Sequence, residues 1–86
     1  MINVKEAVKN AAEYFTDLYH DQFTNVLLEE VELSNGYWLI TLGYDAASDI
    51  RSLLANKASR RFKLFKIDCE TGEVISMKIR EVEHVE

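Results

Sequence analysis

Residues 25–44 read NVLLEEVELSNGYWLITLGY, and this stretch decides the fold. Val, Leu, Ile, Trp and Tyr dominate both sides of a central Asn35-Gly36 pair. Asn-Gly between two such runs is the strongest short-range signal for a two-residue β-hairpin, because both residues tolerate the positive φ of a type I′ turn. A turn there closes on Ser34 and Tyr37, and the register follows. Leu33 faces Trp38 and Val31 faces Ile40 on one side of the hairpin. Glu32 faces Leu39 and Glu30 faces Thr41 on the other. The first set is apolar and the second is mixed, so alternation and turn chemistry agree on one register.

Upstream, residues 3 to about 22 carry a helical period. Val4, Val8, Ala11, Phe15, Leu18 and Gln22 form a stripe flanked by Ala7, Tyr14 and Tyr19. Asn3 is placed to cap the helix, and Glu6 takes the reciprocal position of a capping box. Ile2, just before the cap, is placed to pack on the first turns. Lys5, Glu6, Lys9, Glu13 and Asp17 lie on the polar side. A one-sided stripe must lie against another layer, and the available layer is the sheet.

Downstream, residues 45–58 read as a short helix capped by Asp45 or Ser48, with Ala47 and with Ile50, Leu53 and Leu54 at i, i+3, i+4 spacing; the alternative is an irregular crossover. Residues 60–68 and 73–82 form a second hairpin around Cys69-Glu70-Thr71-Gly72. If Asp68 faces Glu73, a uniform register brings Leu64 opposite Met77, Phe62 opposite Ile79, Lys63 opposite Lys78 and Arg61 opposite Arg80. That arrangement predicts a two-by-two basic block of Arg61, Lys63, Lys78 and Arg80. The block shares its face with Phe65, Ile67 and Val74. Tyr37 and Leu39 point away from the helix and join Phe65 in an apolar strip on the open side of the sheet. Residues 83–86 read as a frayed tail. The expected architecture is a two-layer α+β domain spanning residues 1–86, with one N-terminal helix packed on a four-stranded antiparallel sheet in the order α-β-β-(α)-β-β.

Eighty-six residues suffice for one domain with one core, and 48% hydrophobic content can fill it without disulfides or metals. The formal net charge of −5 disfavours nucleic acid and anionic membranes as partners. Pro is absent and no apolar run reaches the length of a membrane span. Cys69 is the only cysteine, which fits a reducing, cytoplasmic setting. It stands between Asp68 and Glu70, and carboxylates on both sides oppose formation of a reactive thiolate. His20 and His84 are the only histidines and show no ligand spacing, so no metal site is expected. Glu29, Glu30 and Glu32 lie close in sequence, but an acid/base pair also needs a burial difference that this polar run does not supply.

The run Phe65-Lys66-Ile67-Asp68-Cys69-Glu70-Thr71-Gly72-Glu73-Val74-Ile75 resembles the closing strands of PepSY-type domains. An upstream helix, a Glu-rich first strand and an aromatic second strand are similar in layout. The resemblance implies a cystatin-like arrangement, and a function in binding or inhibiting proteins, often peptidases, rather than catalysis. Two features depart from it. Family members are mostly exported or membrane-linked, whereas MINVKEAVKN lacks a signal-like apolar stretch. Residues 46–60 also make a longer connection than the family uses.

The sequence therefore points to a small, non-catalytic protein-interaction module of inhibitor, immunity-like or regulatory type, without a cofactor. Its partner is another protein or a second copy of itself. Its expected surface comprises Tyr37, Leu39, Arg61, Lys63, Phe65, Lys78 and Arg80, with an edge strand as the other option. Two alternatives remain: nucleic-acid association through the basic block, and a ligand-binding protein or enzyme with a pocket between helix and sheet.

Overall fold

The computed structural model describes residues 1–20, 23–45 and 60–80. The expected short helix at 45–58, apart from Asp45 itself, and the tail at 83–86 lie outside the described residues, as does Gln22. The elements are α1 (Val4–Tyr19), β1 (Thr24–Ser34), β2 (Tyr37–Asp45), β3 (Arg60–Asp68) and β4 (Val74–Arg80). The strands form one antiparallel sheet in the order β1-β2-β3-β4.

Helix α1 starts where expected. The Asn3 side chain accepts a hydrogen bond from the Glu6 N–H at 2.9 Å, satisfying one of the donors that a helix start leaves unpaired. It ends at His20, whose φ of 53° lies in the left-handed region and turns the chain out of the helix. The buried face is Ala7, Ala11 and Phe15, a row at i, i+4, i+8. Two alanines let the first turns lie close to the sheet, and Phe15 fills the wider end. There its ring meets Tyr19, Tyr44 and Phe23 at centroid distances of 5.0, 5.0 and 5.5 Å. Leu18, expected on the buried stripe, is instead 51% exposed near the end of the helix.

The core between the layers joins these helix residues to Ile40, Leu42 and Tyr44 of β2 and Phe65 and Ile67 of β3. One end of the domain is tightly stitched. The Ile2 N–H donates to the Cys69 carbonyl at 2.7 Å, and Trp38 Nε1–H donates to the Ile2 carbonyl at 3.2 Å. The Cys69 N–H donates to the Gly36 carbonyl at 3.1 Å, and Asn10 Nδ2–H donates to the Gly72 carbonyl at 2.9 Å. Both hairpin turns, the N-terminus and the helix thus share one network. Cys69 is buried within it.

The first hairpin has the expected register from its turn to Glu30: Ser34–Tyr37, Leu33–Trp38, Glu32–Leu39, Val31–Ile40 and Glu30–Thr41. Asn35 and Gly36 have φ of 51° and 82°, as a type I′ turn requires. Beyond Glu30, β1 is irregular, with register shifts between Leu28 and Glu30 and between Thr24 and Leu27.

The second hairpin departs from expectation. Asp68 and Glu73 do pair at the turn, with the Asp68 N–H donating to the Glu73 carbonyl at 2.9 Å, and Ile67 pairs with Val74. The next pair is Lys66–Ser76, so Ile75 is an extra residue in β4, a β-bulge. From there Leu64 faces Lys78, Lys63 faces Ile79 and Phe62 faces Arg80. The expected pairs Leu64–Met77, Phe62–Ile79, Lys63–Lys78 and Arg61–Arg80 do not form. Strand β3 also turns its other side to the helix: Phe65 and Ile67 are fully buried core residues, while Phe62 and Leu64 lie half-buried on the opposite face.

Candidate functional site

The face of the sheet opposite α1 is the first surface to consider. Strand alternation places Glu30 and Glu32 of β1, Tyr37, Leu39 and Thr41 of β2, Phe62, Leu64 and Lys66 of β3, and Lys78 and Arg80 of β4 on it. Of the residues expected to form a binding surface, Tyr37, Leu39, Lys78 and Arg80 are therefore brought together. The other three are not. Phe65 is 0% exposed beneath the helix, in edge-to-face contact with Phe15 at 6.2 Å, and is unavailable to a partner. Lys63 lies on the helix side, with Nζ 5.5 Å from the centre of the Tyr19 ring. Arg61 follows it there by alternation, opposite Tyr44. The four-cation block is thus divided between two faces, and the bulge at Ile75 is what separates it.

Long charged side chains lie across the apolar part of this outer face. Arg80 extends from β4 past Leu64. Its Nη1 donates to Thr41 Oγ1 at 2.7 Å and meets Glu30 Oε2 at 2.7 Å, across the two intervening strands. Lys66 places Nζ 4.2 Å from the centre of the Tyr37 ring, a cation–π contact. Arg60 bridges the far end. Its Nη2 meets Glu29 Oε1 at 2.7 Å, and its Nη1 lies 3.3 Å from Asp45 Oδ1 and 2.9 Å from the Asn25 carbonyl. The Arg60–Glu29 bridge passes directly over Gly43, where a Cβ would stand 2.7 Å from Glu29 Oε1 and 2.8 Å from Arg60 Nη2. A glycine mid-strand leaves room for that close approach. Asn25 Nδ2–H also donates to Asp45 Oδ2 at 2.6 Å. That hydrogen bond, followed by those to Arg60, holds the Asp45 carboxyl below its ordinary value. Such stems shield apolar surface while their heads stay wet.

The second surface is the edge strand β1. Val26, Leu27, Leu28, Val31 and Leu33 are all exposed, Leu27 at 58% and Leu33 at 48%. On the helix side, their β2 neighbours Ile40 and Leu42 are buried. The difference is reach. Helix α1 packs over β2, β3 and β4, and β1 extends past it. A shallow groove of about 250 Å³ remains between them, lined by Val4, Lys5, Val8 and Leu28. Alternation had placed Val31 and Leu33 on the helix-facing side, as found, but facing the helix layer is not the same as being covered by it.

Among the described residues, no group of three or more His, Cys, Asp or Glu is arranged to hold a metal ion. Likewise, no described helix is long and apolar enough to cross a membrane. His20 is an exposed helix-end residue, and His84 lies outside the described residues.

Compared with protein-family models, curated proteins and solved structures, the chain matches none. The turn from Asp68 to Glu73 is held by its own side chains. Asp68 Oδ1 accepts from the N–H groups of Glu70 and Thr71 at 2.8 and 3.2 Å, and Thr71 Oγ1 accepts from the Glu73 N–H at 3.2 Å. Gly72 provides a φ of 77°. Asp, Thr and Gly at these positions are what this turn needs.

Proposed function

We propose that this chain is a small non-catalytic protein-interaction module of inhibitor, immunity-like or regulatory type. It binds through edge strand β1 and the adjoining outer sheet face. The observation that carries this reading is the row of exposed apolar residues from Val26 to Leu33 on a strand that, among the described residues, has one edge unpaired. Such an edge offers backbone hydrogen bonds and apolar contacts together, a combination that soluble domains commonly protect or use. A protein-binding role and a cystatin-like grouping of helix and sheet agree with the resemblance of residues 65–75 to PepSY domains.

Nucleic-acid association is the alternative that a basic block would support. Its support weakens because Arg61 and Lys63 lie on one face and Lys78 and Arg80 on the other, while Arg80 is engaged by Glu30. A phosphate track needs cations that converge. Among the described residues, the pocket alternative has the open, shallow groove beside Leu28 to draw on, and aromatic side chains fill much of the space between helix and sheet.

The test is a native pull-down with the wild-type chain beside a Val31→Lys/Leu33→Lys variant. Both substitutions fall at exposed positions and should leave the fold intact. A partner protein held by the wild type and lost by the variant supports the reading. Equal retention by both, or a partner lost only on nuclease treatment, counts against it.

A further inference from the structure

The edge of β1 that no described strand pairs with has a chemistry that selects its occupant. Ser34 and Tyr37 close a two-residue turn, so they form a hydrogen-bonded pair, and the antiparallel alternation makes Glu32–Leu39 and Glu30–Thr41 hydrogen-bonded pairs as well. Val31 and Leu33 fall between them. Their backbone N–H and C=O groups therefore point away from β2, along the open edge. The side chains of Val31 and Leu33 lie on the helix side and are exposed. Those of Glu30 and Glu32 lie on the outer face, also exposed. Glu30 shares its carboxylate with Arg80, and Glu32 has no ion pair among the described residues. From Glu30 to Ser34 the ladder is regular, and the two register shifts nearer the start of the strand bound this stretch.

From this geometry we infer that β1 between Glu30 and Ser34 accepts an added strand from another protein, an extended segment in which basic and apolar residues alternate. The inference rests on the interaction-module reading and names the partner's chemistry. Backbone groups of Val31 and Leu33 hydrogen-bond the incoming strand. Its apolar side chains lie beside Val31 and Leu33, and its cations lie beside Glu30 and Glu32. Charge argues against a second copy as the occupant. In a two-fold antiparallel pairing centred on Val31, each Glu30 meets the other copy's Glu32. Centred on Glu32, the two Glu32 carboxylates meet each other. Like charges directly opposed destabilise a strand pair.

The probe is a capped, fluorescein-labelled heptapeptide of alternating valine and lysine. Two controls accompany it: the valine–glutamate counterpart, and a peptide of the same valine and lysine content arranged in blocks. Wild-type chain should bind the first in a fluorescence-anisotropy titration and each control about tenfold more weakly, the change expected from losing one good polar contact. Val31→Pro removes the outward N–H while leaving the β1–β2 ladder paired, and should weaken binding about tenfold. Glu32→Lys, at an exposed position, should do the same. On binding, the Val31 and Leu33 amides should become protected from hydrogen exchange. The inference is overturned if both variants bind as the wild type does, if the three peptides bind alike, or if none binds at about 1 mM. It is also overturned if sedimentation shows a dimer that Val31→Pro dissociates, since a second copy then holds the edge. Should the peptides fail while a partner protein is still retained through another surface, strand addition falls and the interaction-module reading stands. Should the pull-down also find no partner, both fall.

Discussion

The two hairpins of this sheet are built from similar materials and behave differently. The first turns on Asn35-Gly36, where backbone conformation alone sets a two-residue loop, and its ladder runs unbroken through its first five pairs. The second turns on Asp68 to Glu73, where the Asp68 carboxylate and the Thr71 hydroxyl hold backbone N–H groups, and it bulges at Ile75, immediately after the first strand pair. A bulge close to the turn moves every later pair by one residue. The same bulge far from a turn, as between Leu28 and Glu30, changes little of the hairpin's register. Position along the ladder, more than the presence of irregularity, decides how far a local feature reaches.

The point substitution with the largest expected effect on this comparison lies in β3. With Phe65 in the core and Phe62 half-buried outside, Phe65→Ala should cost about 3 to 5 kcal/mol, and Phe62→Ala about 1 kcal/mol. Urea denaturation of the two variants measures both. A reversed order would put Phe62 and Leu64, rather than Phe65 and Ile67, beneath the helix.

Deletions come next. Removing Ile75 takes out the unpaired residue and leaves Lys66–Ser76 and Leu64–Lys78 in register, so the domain should lose no more than about 2 kcal/mol. Removing Leu39, in the regular part of the first hairpin, throws the rest of β2 onto the wrong face, and the chain should fail to fold. Thermal melts followed by circular dichroism separate the two. Equal damage from both deletions would show that the Ile75 bulge is required rather than tolerated.

At the turn of the first hairpin, Gly36→Val places a β-branched side chain at a φ of 82°. The added atoms meet open space, so the cost is conformational, about 1 to 2 kcal/mol. A larger loss, read from the denaturation midpoint, would mean that the substitution also disturbs the Gly36 carbonyl that receives the Cys69 N–H.

The smallest effect lies where the hairpins meet at their open ends. Asp45 has its carboxyl depressed in the folded state, first by the Asn25 hydrogen bond and then by Arg60. A depressed folded value means that this contribution to stability is fully present above the unfolded pKa and is lost as pH falls through the folded one. Wild type should therefore lose more stability than Asp45→Asn over the acid side of the ordinary carboxylate range, and the two should run parallel at neutral pH. Denaturation midpoints taken across that range test the sign.

Particular residues show how much was legible. The Asn3 cap, the Asn35-Gly36 turn and the pairs from Ser34–Tyr37 to Glu30–Thr41 follow from the chain itself, because each depends on neighbours a few residues apart. Tyr37, Leu39, Lys78 and Arg80 were placed correctly on the outer face. Phe65, Lys63 and Arg61 were not. Their face depends on how strand β3 seats its alternation against the helix, and Phe62, Leu64, Phe65 and Ile67 offer an apolar set on either side. Sequence pattern cannot choose between two such sets. The helix chooses, because Phe65 and Ile67 complete a core with Phe15, Ile40 and Leu42.

The same division holds for the candidate site. Sequence alone determined that β1 alternates Glu30 and Glu32 against Val31 and Leu33, since side chains on a strand point to opposite faces with a period of two. Only the tertiary structure decided that β1 would stand at the edge of the sheet, past the reach of α1, with that alternation exposed. It likewise decided that Arg80 would cross to Glu30 and Arg60 to Glu29, drawing cations over the outer face. Such outcomes depend on the lateral order of strands and on where one helix rests. Both are set by the packing of residues far apart in the chain, which local periodicity does not encode.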